Sequence, residues 1–151
     1  RAEEPVAYLL DVNVLIALFD PAHIHHDATH AWFGDRTTET WATCPITENG
    51  FVRVISNPAY PGRGTTVAGA VDRLRIFTES SSQHVFWPDE VSILDPAVID
   101  AEQLSGHRQV TDTPLLALAV RHRGGLVTFD RSLRIEAVVG ASLERVVMLP
   151  L

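Results

Sequence analysis

Apolar runs alternate with amphipathic stretches along the chain, and this pattern predicts strands and helices that follow one another in turn. Short apolar runs predict strands over residues 6–10, 41–44, 85–87, 126–129 and 146–149. Apolar positions at helical spacing predict helices over residues 12–19, 27–33, 46–55, 65–80, 97–104 and 114–122. Strands separated by helices favour parallel pairing with helices on both faces of the sheet. We therefore predict an α/β fold, a three-layer α/β/α sandwich around a central, mainly parallel sheet.

Length and composition indicate one domain without membrane segments. The 151 residues are 46% hydrophobic and 21% charged, which is typical of one globular core, so we predict a single domain over residues 1–151. The longest apolar runs are far shorter than the ~20 residues that span a bilayer, and the start lacks the pattern of a secretory signal. The lone Cys44 fits a core thiol in a reducing compartment. We expect a cytoplasmic protein.

Four acidic residues occupy positions that an α/β sheet brings to one edge. Asp11 and Asp130 each follow an apolar strand directly, so both are expected at the carboxyl edge of the sheet, where sites form in open α/β folds. Glu48 and Asp112 lie near the starts of helices that begin at the same edge. Taken singly, each acid also fits a cap or turn residue. Together they predict an acidic crevice.

Clustered carboxylates raise one another's pKa values unless a cation lies between them. Hard oxygen ligands without a nearby thiolate suit Mg²⁺ or Mn²⁺ better than zinc. Such ions catalyse phosphodiester hydrolysis by activating water and stabilising the leaving oxygen. The pattern alone leaves a phosphatase-like or receiver-like acidic site open.

The charge balance bears on a nucleic-acid partner in two ways. A formal net charge of −7 argues against phosphate binding, but a metal-dependent nuclease must concentrate acids at its site. All 12 basic residues are arginine, which suits bidentate phosphate contacts, although a GC-rich genome produces the same bias. Arg53 and Arg131 follow acidic motifs closely and are candidate phosphate contacts. For either residue, an ordinary ion pair is the alternative.

Four ordered segments carry a resemblance to a known family. They are Leu-Asp-Val-Asn-Val-Leu at 10–15, Ile-Thr-Glu at 46–48, Thr-Asp-Thr at 111–113 and Val-Thr-Phe-Asp-Arg at 127–131. In this order and spacing, the chain resembles the PIN-domain family from about residue 8 to residue 149. The segments 49–53, 56–58 and 114–119 further resemble its VapC-type toxins.

The resemblance implies a PIN-like fold and a divalent-metal-dependent endoribonuclease, the toxin of a toxin–antitoxin pair. Metal-site and catalytic roles would fall on Asp11, Glu48, Asp112 and Asp130, with Mg²⁺ or Mn²⁺ as the cofactor. Asn13, Thr111 and Thr128 would orient these ligands or the substrate. The family further implies an RNA substrate, a cognate antitoxin that occludes the site, and a homodimer. A PIN nuclease of RNA maturation or decay and a catalytically idle RNA-binding or protein-binding module are the alternatives.

A histidine cluster and the tryptophans offer further candidates for function. His26 and His30 have the spacing of helical metal ligands, but no recognisable zinc motif supplies a third ligand, so capping or packing is favoured for the cluster His23, His25, His26 and His30. Trp32 and Trp41 are expected in the core rather than stacked on bases.

Overall fold

The computed structural model describes residues 4–62 and 64–150, and it contains the predicted alternation of strands and helices. The elements in chain order are β1 (Ala7–Leu10), α1 (Val12–Phe19), α2 (His26–Gly34), β2 (Thr40–Thr43), α3 (Pro45–Ile55), α4 (Val67–Glu79), β3 (His84–Phe86), α5 (Asp112–Arg121), β4 (Gly125–Thr128) and β5 (Val146–Met148). Most boundaries lie within one or two residues of the prediction.

The five strands form one sheet in the order β3-β2-β1-β4-β5, and every pairing is parallel. The chain moves from β1 outwards through β2 to β3 and then returns to the other side of β1 with β4. Strand order therefore reverses between β1 and β4. A crevice opens outside the carboxyl ends of the strands at such a reversal, and it is where α/β proteins bind ligands.

Two apolar cores cover the two faces of the sheet, because side chains alternate between faces along each strand. Leu9 of β1 packs with α5 on one face, and Leu10 packs with α1, α3 and α4 on the other. Trp32 and Trp41 lie in the second core and Cys44 in the first, as predicted. The result is the three-layer α/β/α sandwich expected from the sequence.

One predicted helix is absent. Residues 97–104 contain only a 3-10 turn, Ala101–Gln103. The backbone groups that would form helical hydrogen bonds have other partners. The Asp100 N–H donates to the Ala137 carbonyl, and Ile99 forms an isolated antiparallel bridge with Val138. Pairing with a distant segment thus overrides the local helical pattern. Among the described residues, no helix has the length and apolar character needed to cross a membrane.

Candidate active site

Asp11 lies at the carboxyl end of β1 and caps the N-terminus of α1. One carboxylate oxygen accepts the backbone N–H of Val12 at 2.7 Å, and the other accepts the Thr128 hydroxyl at 2.7 Å. The residue is only 6% exposed. Burial raises the pKa of Asp11, the two hydrogen bonds oppose that rise, and the charge of Asp130 adds to it. The carboxylate is therefore held in one orientation at a site that disfavours its charge.

Thr128 links Asp11 to Asp130. Its hydroxyl donates to Asp11 and accepts the backbone N–H of Asp130 at 3.0 Å, and its side chain is fully buried at the end of β4. One oxygen of Asp130 also accepts the hydroxyl of Ser132 at 2.6 Å and its N–H at 2.9 Å. Both acids that follow the central strands are thus fixed to each other through one threonine.

Asp112 is the first residue of α5, and its carboxyl group meets that of Asp130. Burial, the hydrogen bond to Asp130, and the negative charges of Asp11 and Asp130 together raise the pKa of Asp112 to about 8. The same hydrogen bond is the main reason that the pKa of Asp130 is lowered. The raised pKa of Asp112 therefore favours a protonated carboxyl group there at neutral pH, beside the ionised carboxylate of Asp130.

Gln109 ties the start of α5 to the loop that carries Asp130, a role the sequence analysis missed. Its amide donates to the Ser132 carbonyl at 3.0 Å, and its side-chain oxygen accepts the Ser105 N–H at 2.8 Å. Its own carbonyl accepts the Thr113 hydroxyl at 2.7 Å. Nothing in the local sequence distinguishes this glutamine from a surface residue, because its bond to Ser132 joins segments that only the folded chain brings together.

The three aspartates surround one open cavity of about 660 Å³. Of the residues expected to orient ligands or substrate, Asn13, Thr111 and Arg53 line the cavity. Thr128 lies behind its wall and contacts Asp11, whereas Arg131 is exposed and outside the lining. The structure therefore brings most of the predicted residues to one place.

One face of α3 forms a wall of this cavity. Ile46, Asn49, Gly50 and Arg53 line it, at the i, i+3, i+4 and i+7 spacing of a helix face. A side chain at Gly50 would place its Cβ 2.5 Å from a methyl carbon of Val12, so glycine permits α3 to approach α1 this closely. This spacing was visible in the sequence and identifies Asn49, which the sequence analysis missed.

Glu48 does not reach the same cavity. It lies on the neighbouring face of α3, where it accepts the Thr43 hydroxyl at 2.8 Å and lines an adjacent cavity of about 330 Å³. Asn49 lines both cavities and lies between Glu48 and the three aspartates. The sequence placed Glu48 correctly near the start of a helix, and the rotation of that helix places its side chain in the lining of the adjacent cavity.

Arg53 is exposed at the edge of the cavity, and its guanidinium has no ion pair or hydrogen bond within residues 4–62 and 64–150. Several other arginines do pair with acids: Arg36 with Glu39, Arg75 with Asp72, Arg121 with Glu90, and Arg134 with Glu136. Arg53 is thus a cation available to a ligand in the cavity.

The four histidines of the cluster make packing contacts. His26 Nδ1 contacts the Ala17 carbonyl at 2.7 Å, and its ring lies 4.6 Å from that of His30. His23 and His25 lie against Phe129, which lines the acidic cavity. Packing was the favoured interpretation of these residues.

Across the described ranges, no three histidine, cysteine or acidic side chains are arranged to hold a metal ion. Mg²⁺, however, is commonly held by one or two carboxylates, with water and substrate phosphate as its other ligands. The paired carboxyl groups of Asp112 and Asp130, with Asp11 fixed nearby, supply hard oxygen donors of this type. A bound cation would replace the proton that the raised pKa of Asp112 favours. The chemistry of the donor set therefore fits such an ion.

Comparison with known proteins agrees with this architecture. The family model described as PIN domain matches residues 8–137. The chain is 50% identical to Ribonuclease VapC44 of Mycobacterium tuberculosis over 141 residues, covering 93% of this chain and 98% of the relative. It is 48% identical to Ribonuclease VapC39 of the same organism, covering 87% and 94%.

A solved structure shows the same fold at low sequence identity. It is the crystal structure of VapBC2 from Rickettsia felis bound to a DNA fragment from their promoter, with a TM-score of 0.56, 15% identity, and coverage of 84% of this chain and 95% of that one. The family model spans most of the chain, and the two VapC relatives match this chain along nearly their whole length. This protein therefore belongs to the PIN-domain family, alongside the VapC ribonucleases.

Proposed function

We propose that this protein is a divalent-metal-dependent endoribonuclease and the toxin of a toxin–antitoxin pair. The observation that carries the proposal is the meeting of Asp11, Asp112 and Asp130 around one open cavity at the reversal of strand order. Relatives named as ribonucleases, at 50% and 48% identity over most of the chain, supply the substrate class. RNA is therefore the proposed substrate.

Asp11, Asp112 and Asp130 would hold Mg²⁺ or Mn²⁺, and Glu48 is a further proposed ligand from its sequence position. When bound, such an ion supplies an activated water and offsets the negative charge that develops on the phosphodiester. If both residues bind the ion, the Asp112 carboxyl group must lose the proton that its raised pKa favours. The high pKa of Asp112 means that binding would release a proton at neutral pH.

The protein's own residues would position these groups and the RNA. Thr128 and the Val12 N–H fix both oxygens of Asp11, which limits the reorganisation needed on binding. Arg53 would contact a backbone phosphate with its unpaired guanidinium. Asn13 and Thr111, with polar side chains in the lining, would contact the substrate. Water then attacks phosphorus, the 3′ oxygen leaves, and the products carry a 5′-phosphate and a 3′-hydroxyl.

Purified protein is expected to cleave single-stranded RNA only with a divalent cation. Incubation with a labelled RNA pool, before and after chelation, measures this dependence, and added Mg²⁺ or Mn²⁺ should restore cleavage after chelation. Activity that survives exhaustive chelation would refute the metal-dependent mechanism. Binding of RNA without cleavage, with either metal supplied, would favour an idle binding module instead.

We also propose a cognate antitoxin that inserts a basic segment into the acidic cavity, with the toxin acting as a homodimer in the cytoplasm. Among the described residues, the cavity lining contains three acids and one arginine, and the net charge of the chain is −7, so a lysine or arginine side chain is its electrostatic complement.

Co-expression with the product of an adjacent gene is expected to yield a complex that co-elutes on size-exclusion chromatography and lacks ribonuclease activity. Light scattering on the free protein should give twice the mass of the chain. A neighbouring product that neither co-elutes nor inhibits would contradict the toxin role while leaving the nuclease role intact.

A further inference from the structure

Three aromatic rings lie together beside the acidic cavity, and one of them lines it. Phe129 lies between Thr128 and Asp130 in the chain, and it lines the cavity. The ring of His25 lies 4.8 Å from that of Phe129 at an interplanar angle of 32°, and the ring of His23 lies 6.1 Å away and nearly parallel, at 18°. We call Phe129, His25 and His23 the aromatic platform.

The platform is held in place by hydrogen bonds within the loop that carries the histidines. The His25 N–H donates to His23 Nδ1 at 3.0 Å, and the Ala22 N–H donates to Asp20 at 2.9 Å. The same Asp20 accepts the Tyr60 hydroxyl at 2.5 Å, which ties the loop to the segment after α3. A ligand that binds such a fixed surface loses little additional conformational entropy to ordering the protein.

The rings offer the contacts that an unpaired base uses. All three are half-buried rather than covered, and Ile24 beside them is 88% exposed. Because Nδ1 of His23 accepts a hydrogen bond, the neutral ring carries its proton on Nε2, which has no partner among the described residues and is available to donate. Burial and the nearby His25 lower the pKa of His23, which favours this neutral form.

The charge of the site also favours stacking as a source of affinity. Arg53 is the one basic residue in the lining of the acidic cavity, as far as the described ranges extend, so phosphate contacts are few. Stacking of a base on aromatic side chains does not depend on positive charge, and proteins bind single-stranded RNA in this way.

We propose that the aromatic platform binds one unpaired base of the RNA, next to the phosphodiester bond that the acidic cavity receives. This inference rests on the proposed ribonuclease function and deepens it by assigning a base-recognition subsite. Phe129 directly precedes Asp130, so a base on the platform lies beside the cleavage position rather than far along the strand.

The test compares wild-type protein with His25→Ala and Phe129→Leu, the second of which keeps apolar volume but removes the aromatic ring. His30→Ala is the matched control, because His30 packs on His26 and has no ring contact with Phe129. The probe is a short single-stranded RNA pool of randomised sequence, with Mg²⁺ present, and the products are sequenced to give the nucleotide preference at each position around the cleaved bond. A second probe set carries an abasic nucleotide at each flanking position in turn.

Wild type is expected to lose about tenfold to a hundredfold in cleavage rate when the abasic nucleotide occupies one position next to the cleaved bond. His25→Ala and Phe129→Leu should cleave intact RNA more slowly, lose nucleotide preference at that position alone, and respond little to the abasic nucleotide there. His30→Ala should match wild type. Thermal melts identify any variant that fails to fold. If Phe129→Leu does not fold, His25→Ala alone is compared with wild type.

Cleavage by wild type that is equally fast with every abasic probe, or variants that keep the wild-type preference, would overturn the platform and leave the ribonuclease intact. Failure of wild type to cleave any RNA would overturn the proposed function, and the platform with it.

Discussion

Asp11→Asn and Asp112→Asn are each expected to reduce RNA cleavage on the order of a hundredfold or more, because each removes a metal-binding charge while keeping the side chain's shape. Both variants should fold. Asparagine caps a helix about as well as aspartate does, so α1 keeps its N-terminal cap at position 11. At position 112 the amide of asparagine can donate to Asp130, as the protonated carboxyl group does.

Cleavage rates at saturating Mg²⁺ measure this prediction, and thermal melts check the fold. Asp89→Asn is the matched control, since Asp89 is exposed and lies outside the lining of the acidic cavity. Glu48→Gln should have a smaller effect than either aspartate variant, because Glu48 bonds to Thr43 and faces the adjacent cavity. Rates within twofold of wild type in both aspartate variants would contradict the assignment of the active site.

Metal-free Asp112→Asn is expected to be more stable than metal-free wild type near pH 7. The pKa of Asp112 is raised to about 8 by burial and by its acidic neighbours. A group with a raised folded-state pKa favours folding below its unfolded pKa, about 4, and this contribution is lost as pH rises towards the folded value. Wild type should therefore lose stability between about pH 4 and pH 8, whereas asparagine does not titrate.

Asp112 is only partly buried, so solvent screening reduces the effect to on the order of 2 kcal/mol at neutral pH, or several degrees in Tm for a domain of this size. The advantage of the variant should shrink on mild acidification. The pKa of Asp130 is lowered instead, so Asp130 contributes stability above the unfolded pKa of an aspartate. That contribution is lost only as the pH falls below this unfolded value, outside the range from about pH 4 to pH 8.

Added Mg²⁺ or Mn²⁺ should reverse the order of stability. Binding to the folded state stabilises it by RT ln(1 + [L]/Kd), and the variant binds the ion less tightly. Thermal melts of both proteins, with chelator and with metal, at about pH 5 and about pH 7.5, test the whole prediction. If the variant gains nothing without metal, and metal shifts both proteins equally, Asp112 does not belong to a shared acidic metal site.

The order of elements and the placement of two central acids could be predicted from the sequence alone. The apolar runs before Asp11 and Asp130 predict buried parallel strands, and strands of one parallel sheet end at the same edge, so the two acids must lie near each other. The position of Asp112 near the start of a predicted helix likewise predicted that it lies at the carboxyl edge of the sheet. These inferences succeed because they need only periodicity and the direction of the chain.

Contacts between distant segments could not be predicted in this way. Residues 97–104 have a helical pattern, yet Ile99 and Asp100 bond to the segment around Val138. Gln109 joins its own loop to the loop that carries Ser132, and the local sequence does not predict that contact. Their conformations depend on partners that only the folded chain brings within reach.

The facing of side chains was likewise decided by tertiary structure. Packing of α3 against α1, at the close approach of Gly50 and Val12, sets the rotation of α3, which places Asn49 and Arg53 in the lining of the acidic cavity and Glu48 in the lining of the adjacent one. The same is true of Phe129 and His25, which are far apart in the chain and meet because β4 ends beside the loop after α1. The sequence by itself determined which residues stand at the carboxyl edge of the sheet. Which of them share a cavity depended on packing, because successive side chains of a helix differ in direction by about 100° around its axis.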